Sequence, residues 1–308
     1  MKVAVIDIGT NTFNLLIAAQ ENNKLILEKI EKKFVFLGKG GINKNIIQED
    51  AFQRGIKTLK SFSKKAEKAG VTKIIAIATS AVRSANNGNE FVNEVFIKTG
   101  INITVISGNT EAEYIYKGAR SATKFGTDPI LLMDIGGGST EFIICNDKEI
   151  FWKQSFEIGV IRLFEKFHKN DPITKIEIDN IEAYLQEQLS PLFIAIKQFK
   201  IKTLIGSAGA FTSLAKMIEY RYNSGEKLIK TSEYQFDMNH YHQIHSYVIK
   251  TTLEERLETP GLIKQRAPII IVGTILVNFI ISHLKIENFK LARFALKEGV
   301  ASDYFLNL

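Results

Sequence analysis

The sequence predicts two α/β domains, each with a mixed five-stranded sheet flanked by helices, and a cleft between them. Three observations carry this. A short pattern occurs twice: Val3 to Ile8, Gly9-Thr10-Asn11-Thr12 and an apolar run to Ile17, then Leu131 to Ile135, Gly136-Gly137-Gly138-Ser139-Thr140 and an apolar run to Ile144. Each copy is an apolar strand with an Asp near its end (Asp7, Asp134), a turn rich in glycine and hydroxyl residues, and a second strand; the turn is longer in the second copy. The order of elements also repeats at domain length, which marks a duplicated domain rather than a solenoid. Between the copies, Gly126-Thr127-Asp128-Pro129 stacks turn formers, giving domains 1–125 and 126–308.

In the first domain, strands are expected at 2–8, 12–19 and 24–37, with a turn at Asn22-Asn23. Gly38-Lys39-Gly40-Gly41 reads as a loop. An amphipathic helix follows over 48–69, ended by Gly70, then a buried strand over 73–79. A helix over 88–98 stops at Gly100; a strand at 101–106 and a helix at 109–123 complete the domain. In the second, strands lie at 130–135, 140–146 and 149–158, and helices at 160–168 and 175–199. A strand at 203–205 runs into Gly206-Ser207-Ala208-Gly209 and a helix to 220. Helices at 239–258 and 268–284, a strand at 289–294 and a helix at 298–307 finish the chain; that last helix can cross back onto the first domain.

The bulk numbers agree. A chain of 308 residues, 45% hydrophobic and 24% charged, is of ordinary globular composition and long enough for two cores. Its one cysteine, Cys145, excludes an intrachain disulfide and reads as a small buried hydrophobe. A net charge of +7 favours an anionic partner. There is no zinc-finger spacing, no aromatic RNP-like pattern and no basic tail, so a polyanionic small molecule fits better than nucleic acid. Met1-Lys2-Val3 enters a strand without a signal-peptide pattern. The longest apolar run, 269–284, is broken by Gly273, Thr274, Asn278, Ser282 and His283 and falls short of a membrane span. The expectation is a soluble, cytoplasmic protein.

The two turns suit phosphate, because glycine lets the backbone approach phosphate oxygens while N–H and hydroxyl groups donate to them. Thr10, Asn11 and Thr12 in one turn, and Gly136, Gly137, Gly138, Ser139 and Thr140 in the other, are the candidate phosphate ligands; either turn alone is also an ordinary hairpin connection. Asp134 and Glu141, with Asp7, could hold Mg²⁺ or another divalent cation, since hard cations take carboxylate and water oxygens; Asp134 could instead cap its glycine turn. Arg83, after a buried strand, could take a phosphate bidentately or be a surface arginine. Gly206, Ser207 and Gly209 open a helix and suit a further phosphate, although glycine also permits close strand–helix packing. Lys57, Lys60, Lys64 and Lys68 share a helix face that reads as solvated. His240, His242 and His245 sit on a polar helix start and carry no metal signature.

Together these segments resemble the exopolyphosphatase / guanosine pentaphosphate phosphatase family, within the actin, sugar-kinase and heat-shock-ATPase superfamily of ribonuclease H-like folds. Ala78-Thr79-Ser80-Ala81-Val82-Arg83, Ser107-Gly108-Asn109-Thr110-Glu111-Ala112, Asp134 to Glu141, Gly206 to Gly209, Arg256 with Pro260-Gly261-Leu262 and Arg266-Ala267, and Leu296-Lys297-Glu298-Gly299 carry the likeness over essentially the whole chain. Pro268 departs from it, standing where the family often has Asp. The resemblance implies that Glu111 is the catalytic carboxylate, placed to orient and deprotonate a water; an acid in a first helical turn can also merely complement the helix dipole. It implies release of orthophosphate from the end of inorganic polyphosphate, with Asp134 and Glu141 assisting catalysis through Mg²⁺, and a homodimer. Guanosine pentaphosphate is the alternative substrate. A superfamily kinase or ATPase and a non-catalytic nucleotide or alarmone sensor are the readings of other classes; Glu111 in its family motif argues against the first, and intact Glu111, Asp134 and Glu141 argue against the second.

Overall fold

The computed structural model describes residues 1–21, 24–223 and 231–307, so the turn expected at Asn22-Asn23 lies outside the described residues. The chain divides into two units: Met1–Gly118 with Gly136–Gly138 and Ala295–Leu308, and Ala119–Ile135 with Ser139–Phe294.

The first unit begins with β1 (Lys2–Ile8), β2 (Thr12–Glu21) and β3 (Lys24–Phe34), followed by α1 (Glu49–Lys68), β4 (Lys73–Ala78), α2 (Ser80–Arg83), α3 (Gly88–Thr99), β5 (Ile103–Val105) and the start of α4 (Gly108–Ala122). Its sheet runs β3-β2-β1-β4-β5. The first three strands are antiparallel neighbours, and β4 and β5 join in parallel, as a helical crossover requires. β1 is central, and Val3 to Ile6 are fully buried, which is why its sequence is a continuous apolar run. α1 buries Phe52, Ile56, Leu59, Phe62 and Ala66, the stripe its spacing predicts, and the chain leaves it through Gly70 at φ +67°.

The second unit contains β6 (Ile130–Ile135), β7 (Thr140–Cys145), β8 (Ile150–Phe156), α5 (Val160–Phe167), α6 (Lys175–Gln188), α7 (Ser190–Ile196), β9 (Thr203–Ser207), α8 (Ala208–Tyr222), β10 (Glu233–Gln235), α9 (Met238–Lys250), α10 (Leu253–Leu257), α11 (Ile270–Leu284) and β11 (Asn288–Ala292). Its sheet has six strands, in the order β10-β11-β9-β6-β7-β8, rather than the five expected. The extra strand, β10, pairs with β11 through only Glu233, Tyr234 and Gln235, too few residues to show an alternating pattern. Two expected helices are each split. Pro191 in the first turn of α7 ends the run from α6, because proline offers no N–H to a preceding turn. Thr252 starts α10 with a capping box to Glu255, dividing 239–258. α11 is apolar all round and lies in the core; among the described residues no helix is long and apolar enough to cross a membrane.

The last helix, α12 (Leu296–Leu306), belongs to the first unit and packs on β1 and β2. It meets α4 backbone to backbone. A Cβ on Gly118 would stand 1.9 Å from Ala295 O, and one on Gly299 would stand 1.8 Å from Tyr114 O, so the crossing admits only glycine.

His245 of α9 lies half-buried, with Nδ1 3.2 Å from the Thr274 hydroxyl of α11. Burial, reinforced by nearby His242, pushes its pKa down to about 4. Its folded pKa is therefore below the unfolded value of ~6.5, so its contribution to stability is full above that value and declines as pH falls toward 4. Melting temperature is expected to drop between pH 7 and pH 5, and to drop less in His245→Gln; equal slopes in the two proteins would refute the assignment.

Candidate active site

In the first unit the two glycine turns meet. The Gly9–Thr12 turn is closed by Gly9 N–H on Thr12 O at 3.1 Å and pinned from outside: Asn11 O accepts from Val35 and Phe36 N–H at 3.1 and 3.0 Å, and Thr10 O from Gly38 N–H at 3.0 Å. Gly136–Gly138, from the second hairpin, belong to this unit. A Cβ on Gly137 would lie 2.9 Å from Thr10 Cβ; one on Gly138 would lie 2.7 Å from Thr10 Oγ1 and 2.5 Å from Ser80 Oγ. Only glycine permits this approach. Thr10 and Ser80 are buried against it, and Ser80, at the start of α2, was not singled out by the sequence analysis. Its position beside Thr79 gave no signal separable from strand-end chemistry.

The tight approach makes Gly138→Ala a sharp test. The added methyl must push aside two buried hydroxyl-bearing side chains, an overpacking that costs about 1–3 kcal/mol. Thermal unfolding should show that loss. Phosphate release should fall by about 100-fold, because a displaced loop misplaces the group it binds. Unchanged stability would mean that the loops yield at no cost.

Arg83 and Glu111 are partners. Arg83 ends α2, the short helix that follows β4. Its Nη1 donates to Glu111 Oε2 at 3.0 Å and to Ile106 O at 3.1 Å. Glu111 stands in the first turn of α4, 6% exposed, its N–H on Ser107 O at 2.9 Å. Ser107 Oγ accepts from Thr110 N–H at 3.1 Å, so Ser107 supplies the cap. Glu111 is therefore not needed as a cap and is aimed by a guanidinium.

Asp7 sits opposite Asn14 on β2, and Asn14 Nδ2 donates to Asp7 Oδ2 at 2.9 Å. Burial raises its pKa, with Lys297 on α12 the main opposing charge. Asn14 thus takes one of its two carboxyl oxygens.

In the second unit four polar side chains form a row across four strands. Ser207 of β9 pairs in register with Asp134 of β6, Asp134 with Glu141 of β7, and Glu141 with Ser155 of β8. The Ser207 hydroxyl donates to Asp134 Oδ2, and the Ser155 hydroxyl to Glu141 Oε1 at 2.7 Å. Directly opposed residues put their Cβ atoms about 5 Å apart on one face, so two buried carboxylates confront each other with a hydroxyl aligning each. Hard oxygen donors at that spacing fit Mg²⁺, whose remaining ligands would be water and substrate. Among the described residues no group of three or more His, Cys, Asp or Glu side chains is assembled for a metal. The pair that the sheet register brings together is Asp134 and Glu141.

The remaining predicted ligands separate. Ser139 and Thr140 are buried, and the Thr140 hydroxyl donates to Ile158 O at 3.3 Å. Gly206 has a packing reason: a Cβ there would stand 2.1 Å from the Phe211 ring. Ser207 leaves the helix uncapped because its hydroxyl goes to Asp134. Ala208 holds φ +66°, a left-handed conformation that costs an L-residue about 1–2 kcal/mol. A Cβ on Gly209 would lie 2.7 Å from the Arg266 guanidinium, so glycine here admits an arginine.

Arg266 is a residue the sequence analysis quoted but gave no role. Its Nη1 donates to Gly209 O at 2.6 Å and Ser213 Oγ at 3.1 Å. No carboxylate pairs with it among the described residues, and burial pushes its pKa down to about 10. An unneutralised guanidinium beside the opening turn of a 15-residue helix is suited to an anion.

Two mixed sheets, each with a glycine turn between an Asp-bearing strand and its antiparallel neighbour, define a duplicated α/β fold. The sequence profile of the Ppx/GppA phosphatase family matches residues 16–308, and the chain belongs to that family. The crystal structure of an exopolyphosphatase from Cytophaga hutchinsonii superposes with a TM-score of 0.97 at 36% identity, covering 100% of this chain and 99% of that one. The Aquifex aeolicus PPX-GPPA enzyme superposes with a TM-score of 0.82 at 26% identity over 98% and 99% of the two chains. The fold is therefore the actin-like, ribonuclease H-like two-domain fold of these proteins. A bifunctional 3-dehydroquinate synthase/phosphatase of Fusobacterium nucleatum subsp. nucleatum is 35% identical over 299 residues, 91% of this chain and 43% of that protein. The chain thus matches under half the length of that curated relative.

Proposed function

We propose that the protein is an exopolyphosphatase, removing the terminal phosphoryl group of inorganic polyphosphate as orthophosphate. The observation that carries this is Glu111, a buried carboxylate paired with Arg83, an arrangement that suits a water-activating base. The full-length likeness to an exopolyphosphatase supports the substrate.

In this reading the turns at Thr10, Asn11 and Thr12 and at Gly136–Gly138 present backbone N–H groups to oxygens of the terminal phosphoryl. Asp134 and Glu141, aligned by Ser207 and Ser155, hold the divalent cation. When bound, the cation would neutralise phosphoryl charge. Glu111 orients a water and accepts its proton, with Arg83 fixing the carboxylate and contributing positive charge. Arg266, Gly209 and the first turn of α8 take a further phosphate of the chain. Most of the rate enhancement comes from positioning and electrostatics, as is general for phosphoryl transfer. A homodimer in the cytoplasm completes the proposal.

Purified protein with Mg²⁺ should be offered short polyphosphate, long polyphosphate, guanosine pentaphosphate and ATP in parallel, with released phosphate as the readout. Polyphosphate is expected to be turned over best. Faster release from guanosine pentaphosphate would replace the substrate with the alarmone, and no release from any would return the chain to the sensor reading. Light scattering tests the homodimer.

A further inference from the structure

A concave site lies wholly in the second unit and shares no lining residue with the glycine turns. It is a cavity of about 150 Å³, open on one side, between the C-terminal turns of α8, the middle of α9 and the Thr259-Pro260 segment. Met217 and Ile244, each 1% exposed, give it an apolar floor, and the rings of Tyr220 and Tyr247 are walls. Tyr220 is 57% exposed, and among the described residues its ring stacks on no other aromatic side chain. Tyr247 is fixed: its hydroxyl lies 3.1 Å from Thr259 Oγ1, and that oxygen donates onward to Glu255 O at 2.9 Å.

Arg221 supplies the charge. Its guanidinium stands over the Tyr247 ring at 5.0 Å and the Tyr222 ring at 5.9 Å from their centroids. A guanidinium attracted to aromatic faces keeps its N–H groups available to an anion. No carboxylate forms an ion pair with Arg221 among the described residues. The site therefore combines a ring-sized apolar seat, two aromatic walls and one positioned cation.

We propose that this cavity binds a single-ring aromatic carboxylate. The volume matches one ring: an apolar cavity of about this size accommodates benzene. The tyrosine walls favour a flat π-face, and Arg221 requires one anionic group at the rim. A phosphate or acetate alone would satisfy the arginine but leave the floor of Met217 and Ile244 wet. A neutral ring would fill the floor but leave the arginine without its partner. The proposal is independent of the phosphatase reading, since none of these residues belongs to the candidate active site. Thr259 and Pro260 do lie in the same segment as Arg266, so a ligand here touches the loop that carries it.

The test is isothermal titration of the full chain with benzoate, benzyl alcohol, acetate and inorganic phosphate. Benzoate is expected to bind saturably, with a dissociation constant on the order of 1 mM or tighter, and the other three at least about ten-fold more weakly. Arg221→Ala and Tyr220→Ala, both surface changes, should each weaken benzoate by at least about ten-fold while leaving the thermal unfolding curve in place. Acetate or phosphate binding as well as benzoate would overturn the ring requirement. Benzyl alcohol binding as well as benzoate, or an unchanged affinity in Arg221→Ala, would overturn the anion requirement. No saturable benzoate binding would overturn the site.

Discussion

Glu111→Gln is expected to lower kcat by roughly 10² to 10⁴-fold, the range that loss of a general base commonly produces. The change keeps the shape of the side chain and an oxygen for Arg83 Nη1, so the 3.0 Å contact and the first turn of α4 survive. Binding of substrate, followed by titration of the inactive variant, should be nearly unchanged. The pairing with Arg83 sharpens the test. If Arg83 works mainly by aiming Glu111, then Arg83→Ala costs much in the parent enzyme and little in the Glu111→Gln background. If it binds phosphate independently, the two losses multiply. Additivity would restore the separate phosphate role that the sequence suggested for Arg83. An active Glu111→Gln enzyme would remove the base assignment altogether.

The legibility of this chain follows the range of the interactions concerned. Twin strand–turn–strand patterns are local, so the α/β class and the glycine turns could be read from the residues directly. α1 was legible for the same reason, its buried face recurring at helical spacing. β10 was not, because its three residues pair only with a strand far along the chain. The split at Pro191 was available in the sequence and outweighed by the apolar run around it. In the candidate site, individual residues were legible and their partners were not. Nothing local joins Arg83 to Glu111, Ser80 and Thr10 to Gly138, or Arg266 to Gly209; each contact is made by elements distant in sequence. The row Ser207–Asp134–Glu141–Ser155 shows the limit well. Asp134 and Glu141 stand out beside their turn, whereas the two serines acquire meaning only from the register of β9 and β8.

That row carries the second large effect. Asp134→Asn and Glu141→Gln each keep an oxygen for the serine that aligns it, and each removes one unit of negative charge from the pair. If the pair holds the divalent cation, either change should cost about 100-fold or more in phosphate release, and raising Mg²⁺ should recover part of the loss. Two signatures separate this from simple damage to the fold. Mg²⁺ without substrate should raise the melting temperature of the parent protein, because a ligand that binds only the folded state stabilises it, and that increment should shrink in both variants. Asp7→Asn should keep the full increment, since its carboxyl is committed to Asn14 on the other unit's sheet. Ser155→Ala should weaken the response to Mg²⁺ less than Glu141→Gln does, because it frees the carboxylate's orientation without removing its charge. A Mg²⁺ increment that survives in Asp134→Asn and Glu141→Gln would place the cation elsewhere and leave the paired carboxylates a structural role.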